Sequence, residues 1–465
     1  MKTACELQHD SAGKLEPYSA YKASGVEWLG DMPEHWTVKR GKALFHCVDV
    51  RSSTGEEELL TVSSERGVIP RSSATVTMFK AESYAGYKLC WPGDLVVNSL
   101  WAWACGLGVS RHHGIISSAY GVYRLRPPYT NYSAYVHELV RSTPFNWELR
   151  IRSKGIWISR LQLTDEAFLG APFPLPPLPE QTAIVRYLDH VDRRIQRYIR
   201  AKQKLIALLE EQKQAVIHQA VTGRIDVRTG RPYPAYKDSG VEWLGDVPEH
   251  WEVVPLRRVA FDYCDGPFGS GLKSSHYTEG GVRVVRLQNI GHGEFRNSDA
   301  AFISPEYYSS LGDHSVEEGD ILIAGLGDDN HPAGRACVAP ASILPAMVKA
   351  DCFRFRLNQT RVVPRFIALQ LTATATVASA LLSTGATRQR TNLQNTSARA
   401  ISFSAVPEQV LIVEHIIAKT SGISAAVKSA KREIDLLREY RTRLIADVVT
   451  GKIDVRMAAA PQSVT

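Results

Sequence analysis

The sequence predicts a mixed α/β (α+β) architecture written twice: two globular domains joined by two long antiparallel coiled-coil helices, with an internal pseudo-two-fold repeat. Three observations predict it. Residues 17–36, PYSAYKASGVEWLGDMPEHW, return as PYPAYKDSGVEWLGDVPEHW at 232–251, with seventeen of twenty positions identical at an offset of 215. Pro179-Glu180-Gln181 and VTGRIDVR (221–228) return as Pro407-Glu408-Gln409 and VTGKIDVR (449–456), now at an offset of 228. Between the repeats lie two diverged inserts, 37–178 and 252–406, the second 13 residues longer, in which short β-rich runs are broken by Gly and Pro. Each half therefore has an opening motif, a variable insert and a closing helical segment.

In chain order, a tail (1–16) precedes the first domain (17–178). The runs ATVTMF (74–79) and DLVVNSL (94–100) read as strands there, as do GVRVVRL (281–287) and DILIAGL (320–326) in the second insert. Pro92-Gly93-Asp94 and Glu318-Gly319-Asp320 each open an aliphatic run at an offset of 226, so the inserts should share a fold. Prolines 172, 174, 176, 177 and 179 mark a stiff junction into a first helix over 179–222. That helix would be about 65 Å long at 1.5 Å per residue. Its positions Ile184, Leu188, Val191, Ile195, Tyr198, Lys202, Leu205, Leu209, Gln212 and Val216 alternate steps of four and three, a heptad seam.

Pro179 and Glu180 suit the first turn, and Gly223 suits a left-handed C-cap. A linker (223–231) leads to the second domain (232–406), a second helix (407–450) and a tail (451–465). The second seam runs Ile412, Ile416, Lys419, Ile423, Ala426, Ala430, Glu433, Leu437, Tyr440, Leu444. A single chain that brings its two copies back together must pair these helices antiparallel. Trp28, Trp36, Trp243 and Trp251 recur in both opening motifs and should pack at the helix junctions; Trp101 and Trp103 are expected in a core.

At 465 residues the chain holds about three structural units. With 44% hydrophobic and 22% charged residues it has apolar mass enough for real cores. No run of about 18 apolar residues appears and the start lacks a signal-peptide core, so no membrane association is expected. Seven scattered cysteines, never spaced C-x-x-C, suit a reducing cytoplasm and neither a disulfide scaffold nor a zinc ribbon. The net charge is +7, and the first insert holds 16 basic against 11 acidic residues while the second holds 15 against 14. A polyanion would be drawn more strongly to the first half.

Catalytic motifs fail on chemistry. In GPFGSGLKS (266–274) Leu272 separates the last glycine from Lys273, where a P-loop needs them adjacent. RPPYT (126–130) offers the cation Arg126 where an amino-methyltransferase needs a polar acceptor. Cys105, His112 and His113 lack a second ligand cluster for zinc, and no G-x-S-x-G elbow occurs. No catalytic or metal-ligating residue is assigned, and the chemistry is expected on other chains.

The tandem layout, the opening motif ending G-V-E-W-L-G-x-x-P-E-H-W and the closing P-E-Q…V-T-G-[RK]-I-D resemble the specificity subunits of type I restriction–modification systems, over residues 17 to 456. The resemblance implies two target recognition domains, each reading one half of a bipartite site in double-stranded DNA, with the helices as a ruler. It implies two methyltransferase subunits docked on the repeated regions, restriction subunits beyond them, and no catalysis by this chain. S-adenosylmethionine, ATP and Mg would then sit on those partners. The alternatives are the DNA-binding part of a type IIG-like bifunctional enzyme, which would need roughly 300 more residues and a methyl-donor loop, and a coiled-coil adaptor that reads no DNA.

If DNA is read, the first insert offers Ser63, Ser64 and Arg66 in a polar loop, Arg71 just beyond it, Lys80 and Lys88 for phosphate, and Asn98 and Arg111 flanking WAWACGLG. The second offers Lys273, the RLQN stretch (Arg286, Gln288, Asn289), Arg335, and TRQRTN (Arg388, Gln389, Arg390, Asn392). Arg, Gln and Asn are the side chains that make bidentate contacts with guanine or adenine.

Overall fold

A computed structural model describes residues 15–74, 83–155, 161–328, 330–382 and 389–458. Five helices organise it: α1 (Ser133–Val140), α2 (Thr143–Arg152), α3 (Leu178–Val221), α4 (Pro364–Ala373) and α5 (Val406–Val449). The chain divides into two compact units, 1–203 with 431–465 and 204–430, so the partition cuts both 44-residue helices.

In the first unit a four-stranded antiparallel sheet runs in the spatial order Phe45–Cys47, Gly121–Leu125, Leu95–Val97, Leu107–Val109. Its core gathers Phe45, Phe145, Phe168 and Phe173 with Ile184 and Leu188 of α3 and Leu444, Val448 and Val449 of α5. The proline run before α3 does more than stiffen a junction. Pro172–Leu175 is a strand paired with Thr37–Arg40 in a two-stranded ribbon. The prolines at 172 and 174 alternate, so both missing N–H groups fall on one edge of the strand. ATVTMF lies almost wholly outside the described residues.

The second unit repeats the sheet: Ala260–Cys264, Cys352–Leu357, Ile321–Ala324, Ala336–Val338, again antiparallel throughout. It adds a five-stranded sheet containing one parallel pair, Val282–Val285 with Ala346–Val348. The shared Gly-Asp motifs explain the common plan. Asp94, 1% exposed, accepts two hydrogen bonds from Arg124 at 2.7 and 2.8 Å. Asp320, 2% exposed, accepts two from Arg356 at 3.1 and 3.0 Å. A buried carboxylate needs such a bidentate partner, and each pair ties two neighbouring strands of its sheet.

Within the first unit α3 and α5 run antiparallel, Asp192 pairing with Arg441 and Lys202 with Glu433 at 2.8 Å. Within the second, Ile217 and Val221 share a core with Ile412, Val413 and Ile416. The seams differ from the expected heptads. On α3, Ile184, Leu188 and Ile195 are buried as expected and Val191 is half-buried, but Tyr198 and Leu205 are exposed and Leu209 is half-buried. Ile199, Ile217 and Ala220 are buried instead. From 184 to 220 this is the 3.6-residue period of a straight helix, which drifts about 20° per heptad from a 3.5 repeat.

On α5 the buried line is Val413, Ile416, Thr420, Val427, Ala430, Ile434, Leu437 and Leu444, with Ile423 half-buried and Ile412 buried beside it. Heptad spacing survives there, but every second position sits one residue later than expected, so Lys419, Ala426 and Tyr440 face out. One 18-residue window of α5 reaches a mean hydropathy of 1.5, long and apolar enough by composition alone to cross a bilayer. Its buried members Ile412, Val413 and Ile416 belong to the second unit's core.

Candidate nucleic-acid interface

Each unit contains one junction built from three repeated pieces. In the first, Glu180 at the start of α3 is 5% exposed and accepts from Tyr18 Oη (2.5 Å) and Trp36 Nε1 (2.8 Å), with His35 Nε2 2.7 Å from its second oxygen. Arg456, bonded to Asp454 of the closing motif, lies 5.0 Å from the Tyr18 ring. The second unit repeats this with Glu408, Tyr233 (2.6 Å), His250 (2.9 Å) and the Asp226–Arg228 pair. Burial opposes ionisation of Glu408, but the bonds from Tyr233 and His250 outweigh it and hold its pKa below the usual carboxylate range. The copies are not equal: Trp251 Nε1 is buried without a partner among the described residues.

Reading Glu180 as a helix-dipole residue missed this hub. The signal was available, since Tyr, His, Trp and Glu recur at matching places in both halves. The closing glycines complete each junction. Gly223 (φ +69°) packs against Pro248 and Gly451 (φ +78°) against Pro33, and a Cβ on either would stand 2.4 Å from the proline ring.

Away from the junctions, the first unit brings two turns together. Ser64–Arg66 form the tip of the hairpin between Leu60–Ser63 and Gly67–Pro70, with Gly67 at φ +74° closing the loop. Ser63 Oγ accepts from the N–H groups of Glu65 and Arg66, and the Arg66 guanidinium donates to Ser73 O at 2.7 Å. The second turn, 98–106, joins two strands of the main sheet. Asn98 shapes it, accepting from Leu100 N–H and donating to Tyr120 Oη. Arg141, absent from the sequence candidates, clamps both turns by donating to Ser63 O, Ser64 O, Cys105 O and Leu107 O.

Lys88 is largely buried and donates to Tyr120 O at 2.9 Å, so its ammonium serves the fold. Arg71 opens a short 3-10 turn and Arg111 is exposed at the far end of the 107–109 strand. Lys80 lies outside the described residues. Trp101 and Trp103 correct the expectation of a core: Trp101 is 56% exposed and stacks on Trp103 with centroids 5.8 Å apart.

The corresponding turn of the second unit, 325–335, meets residues 389–391 through bonds from Gly327 N to Gln389 O and from Thr391 N to Gly325 O. Arg335 is 5% exposed and donates to carbonyls of Leu287, Ile290, Leu326 and His331, while Asn289 is 0% exposed and bonds Arg296 O and Ser298 O. These two are interior braces, because a saturated, buried donor has nothing left for a base edge. Gln389 accepts from Ser379 Oγ and Asn392 caps the helical turn at Leu393. Arg286 and Gln288 both engage Asp299. Lys273 is exposed, and Arg390 is 54% exposed beside Asp351. Arg388 lies outside the described residues. A further buried guanidinium, Arg399, donates to Gly334 O and Leu371 O, and burial lowers its pKa to about 10.

No protein-family model matches the chain. It is similar to the type I restriction enzyme MjaVIII specificity subunit of Methanocaldococcus jannaschii, at 27% identity over 38% of this chain and 37% of that one. It is also similar to the putative type I restriction enzyme MjaX specificity subunit of that organism (25%; 61% and 59%) and to the type I restriction enzyme EcoKI specificity subunit of Escherichia coli K12 (22%; 50% and 46%). The alignments thus span between 37% and 59% of these relatives' lengths. The fold matches, with a TM-score of 0.59 at 16% identity, a chain solved for complex assembly and conformational transition of the type I R-M system, over 90% of this chain and 98% of that one. The chain is thus similar in sequence to type I specificity subunits, and its fold matches that of a chain from a type I R-M system.

Proposed function

We propose that this chain is the DNA sequence-specificity subunit of a type I restriction–modification complex. Two target recognition domains read the halves of a bipartite duplex, and α3 and α5, an antiparallel pair, set the gap between them. The observation that carries this reading is the same four-stranded sheet, with the same buried Asp–Arg pair, bearing two unrelated sets of turns. Duplicated scaffolds with different turns are what two readers of different sequences require, since base edges are distinguished by side-chain type. One domain reads only a few base pairs; joining two multiplies specificity and imposes a fixed spacing.

The chain is proposed as non-catalytic. Methyltransferase subunits would dock on the repeated junctions, which are alike in both halves and so suit two copies of one partner. S-adenosylmethionine, ATP and Mg would belong to those methyltransferase and restriction subunits. Methylation sequencing of the host genome, with and without this gene, tests the reading. A bipartite methylated motif should vanish on deletion, and unchanged methylation would reject the assignment.

A further inference from the structure

The 98–106 turn of the first unit carries a feature that the fold does not use. Trp101 has 56% of its surface exposed and Leu100 has 48%, on a turn that is otherwise tightly held. Asn98 Oδ1 accepts from Leu100 N–H at 3.2 Å, Trp103 Nε1 donates to Leu100 O at 3.0 Å, and Asn146 of α2 donates to Ala102 O at 3.0 Å. Cys105 turns the chain in the left-handed region at φ 61°, and Gly106 leaves room where a Cβ would stand 2.7 Å from Trp101 O. Trp103 stacks behind Trp101 at an interplanar angle of 18°. One indole face is thus backed and the side chain is fixed in place before any partner arrives, which lowers the ordering cost of binding.

We propose that Trp101, backed by Trp103, is a stacking residue that inserts against an unstacked base of duplex DNA at the half-site read by the first domain. This rests on the function proposed above. Three observations favour DNA over a protein partner. A flat aromatic face on a rigid turn is suited to stack on any base. The turn is clamped by Arg141 to the Ser63–Arg66 hairpin tip, at which Ser64 and Arg66 are exposed. The insert that bears it holds the larger basic excess, 16 basic against 11 acidic residues. The corresponding turn of the second unit, 325–335, contains no Phe, Tyr or Trp. Base unstacking by this chain's own side chains should therefore be confined to one half of the target.

The test uses the assembled complex and duplexes of the methylated motif carrying 2-aminopurine at successive positions. Any rise at bases that the methyltransferase subunits extrude should appear in both halves and be insensitive to residue 101. Binding should raise the fluorescence at one further position, in the first domain's half-site only. Trp101→Ala should abolish that rise and weaken binding roughly 5- to 150-fold, the range for losing one stacked base. Trp101→Phe should retain most of both, and unchanged thermal melting of both variants should show that the fold is intact. Wild-type binding to the bipartite duplex with no such further rise, or with Trp101→Ala unaffected, would overturn this inference alone. Loss of methyltransferase co-purification in Trp101→Ala at unchanged DNA affinity would also overturn it, by making the turn a protein interface. Failure of the wild-type complex to bind the bipartite duplex would remove the proposed function and this inference together.

Discussion

His137 of α1 accepts from Val109 N–H at 3.1 Å, and burial, then the charges of Arg141 and Arg111, lower its pKa to about 4. Because the unfolded histidine binds its proton near pH 6.5, stability from this site is complete above that pH and falls as pH drops toward 4. The loss should be on the order of 3 kcal/mol. Denaturant titrations at several pH values should show the slope in wild type and a flatter one in His137→Gln. Arg335 allows a second residue-level measurement. Arg335→Met strands at least four carbonyls, that of Ile290 buried and the others part-buried, and should destabilise the second unit by about 2–4 kcal/mol. Lys273→Ala, at an exposed position, should leave stability within about 0.5 kcal/mol. Equal effects in chemical denaturation would mean that burial does not separate them.

At the scale of elements, the ends of the long helices are fixed by glycines. Gly223→Ala and Gly451→Ala each force a Cβ into the left-handed region and into a proline ring. Each should cost at least about 1–2 kcal/mol, seen as a lower melting temperature. The helices themselves can be tested as a spacer. Inserting four residues within 200–209 adds about 6 Å, equivalent to one or two base pairs at about 3.4 Å each. The preferred gap in the methylated motif should lengthen accordingly where α5 can re-register. Full binding with an unchanged gap would point to a flexible tether. Positions 198 and 205 show why the seam was only half legible on α3: a 3.5 template fits a few turns of any amphipathic helix and fails once the 3.6 period accumulates.

At the scale of the whole molecule, exchanging 37–178 for the insert of a relative should change one half of the methylated motif and leave the other intact. The repeated junctions, Tyr18–Glu180–His35 and Tyr233–Glu408–His250, lie outside the exchanged segment. Methylation sequencing of the chimaera reads the outcome directly, and a change in both halves would show that the inserts do not act independently.

The sequence by itself determined the duplication, the two long helices, their capping glycines and the kinship of the two inserts through Asp94 and Asp320. All of these follow from local chemistry or from identity between distant copies, which a linear string displays. Only the tertiary structure decided which cations face solvent. Arg66, Arg335, Arg390 and Arg399 are alike on paper, yet Arg335 and Arg399 are buried against backbone carbonyls from several segments while Arg66 and Arg390 are exposed. It also decided that Trp101 is exposed and that a glutamate starting a helix is the centre of a junction. Those outcomes depend on which segments meet, 48 residues apart for Arg335 and Leu287, 65 for Arg399 and Gly334 and 162 for Tyr18 and Glu180, and no local period or motif records that meeting.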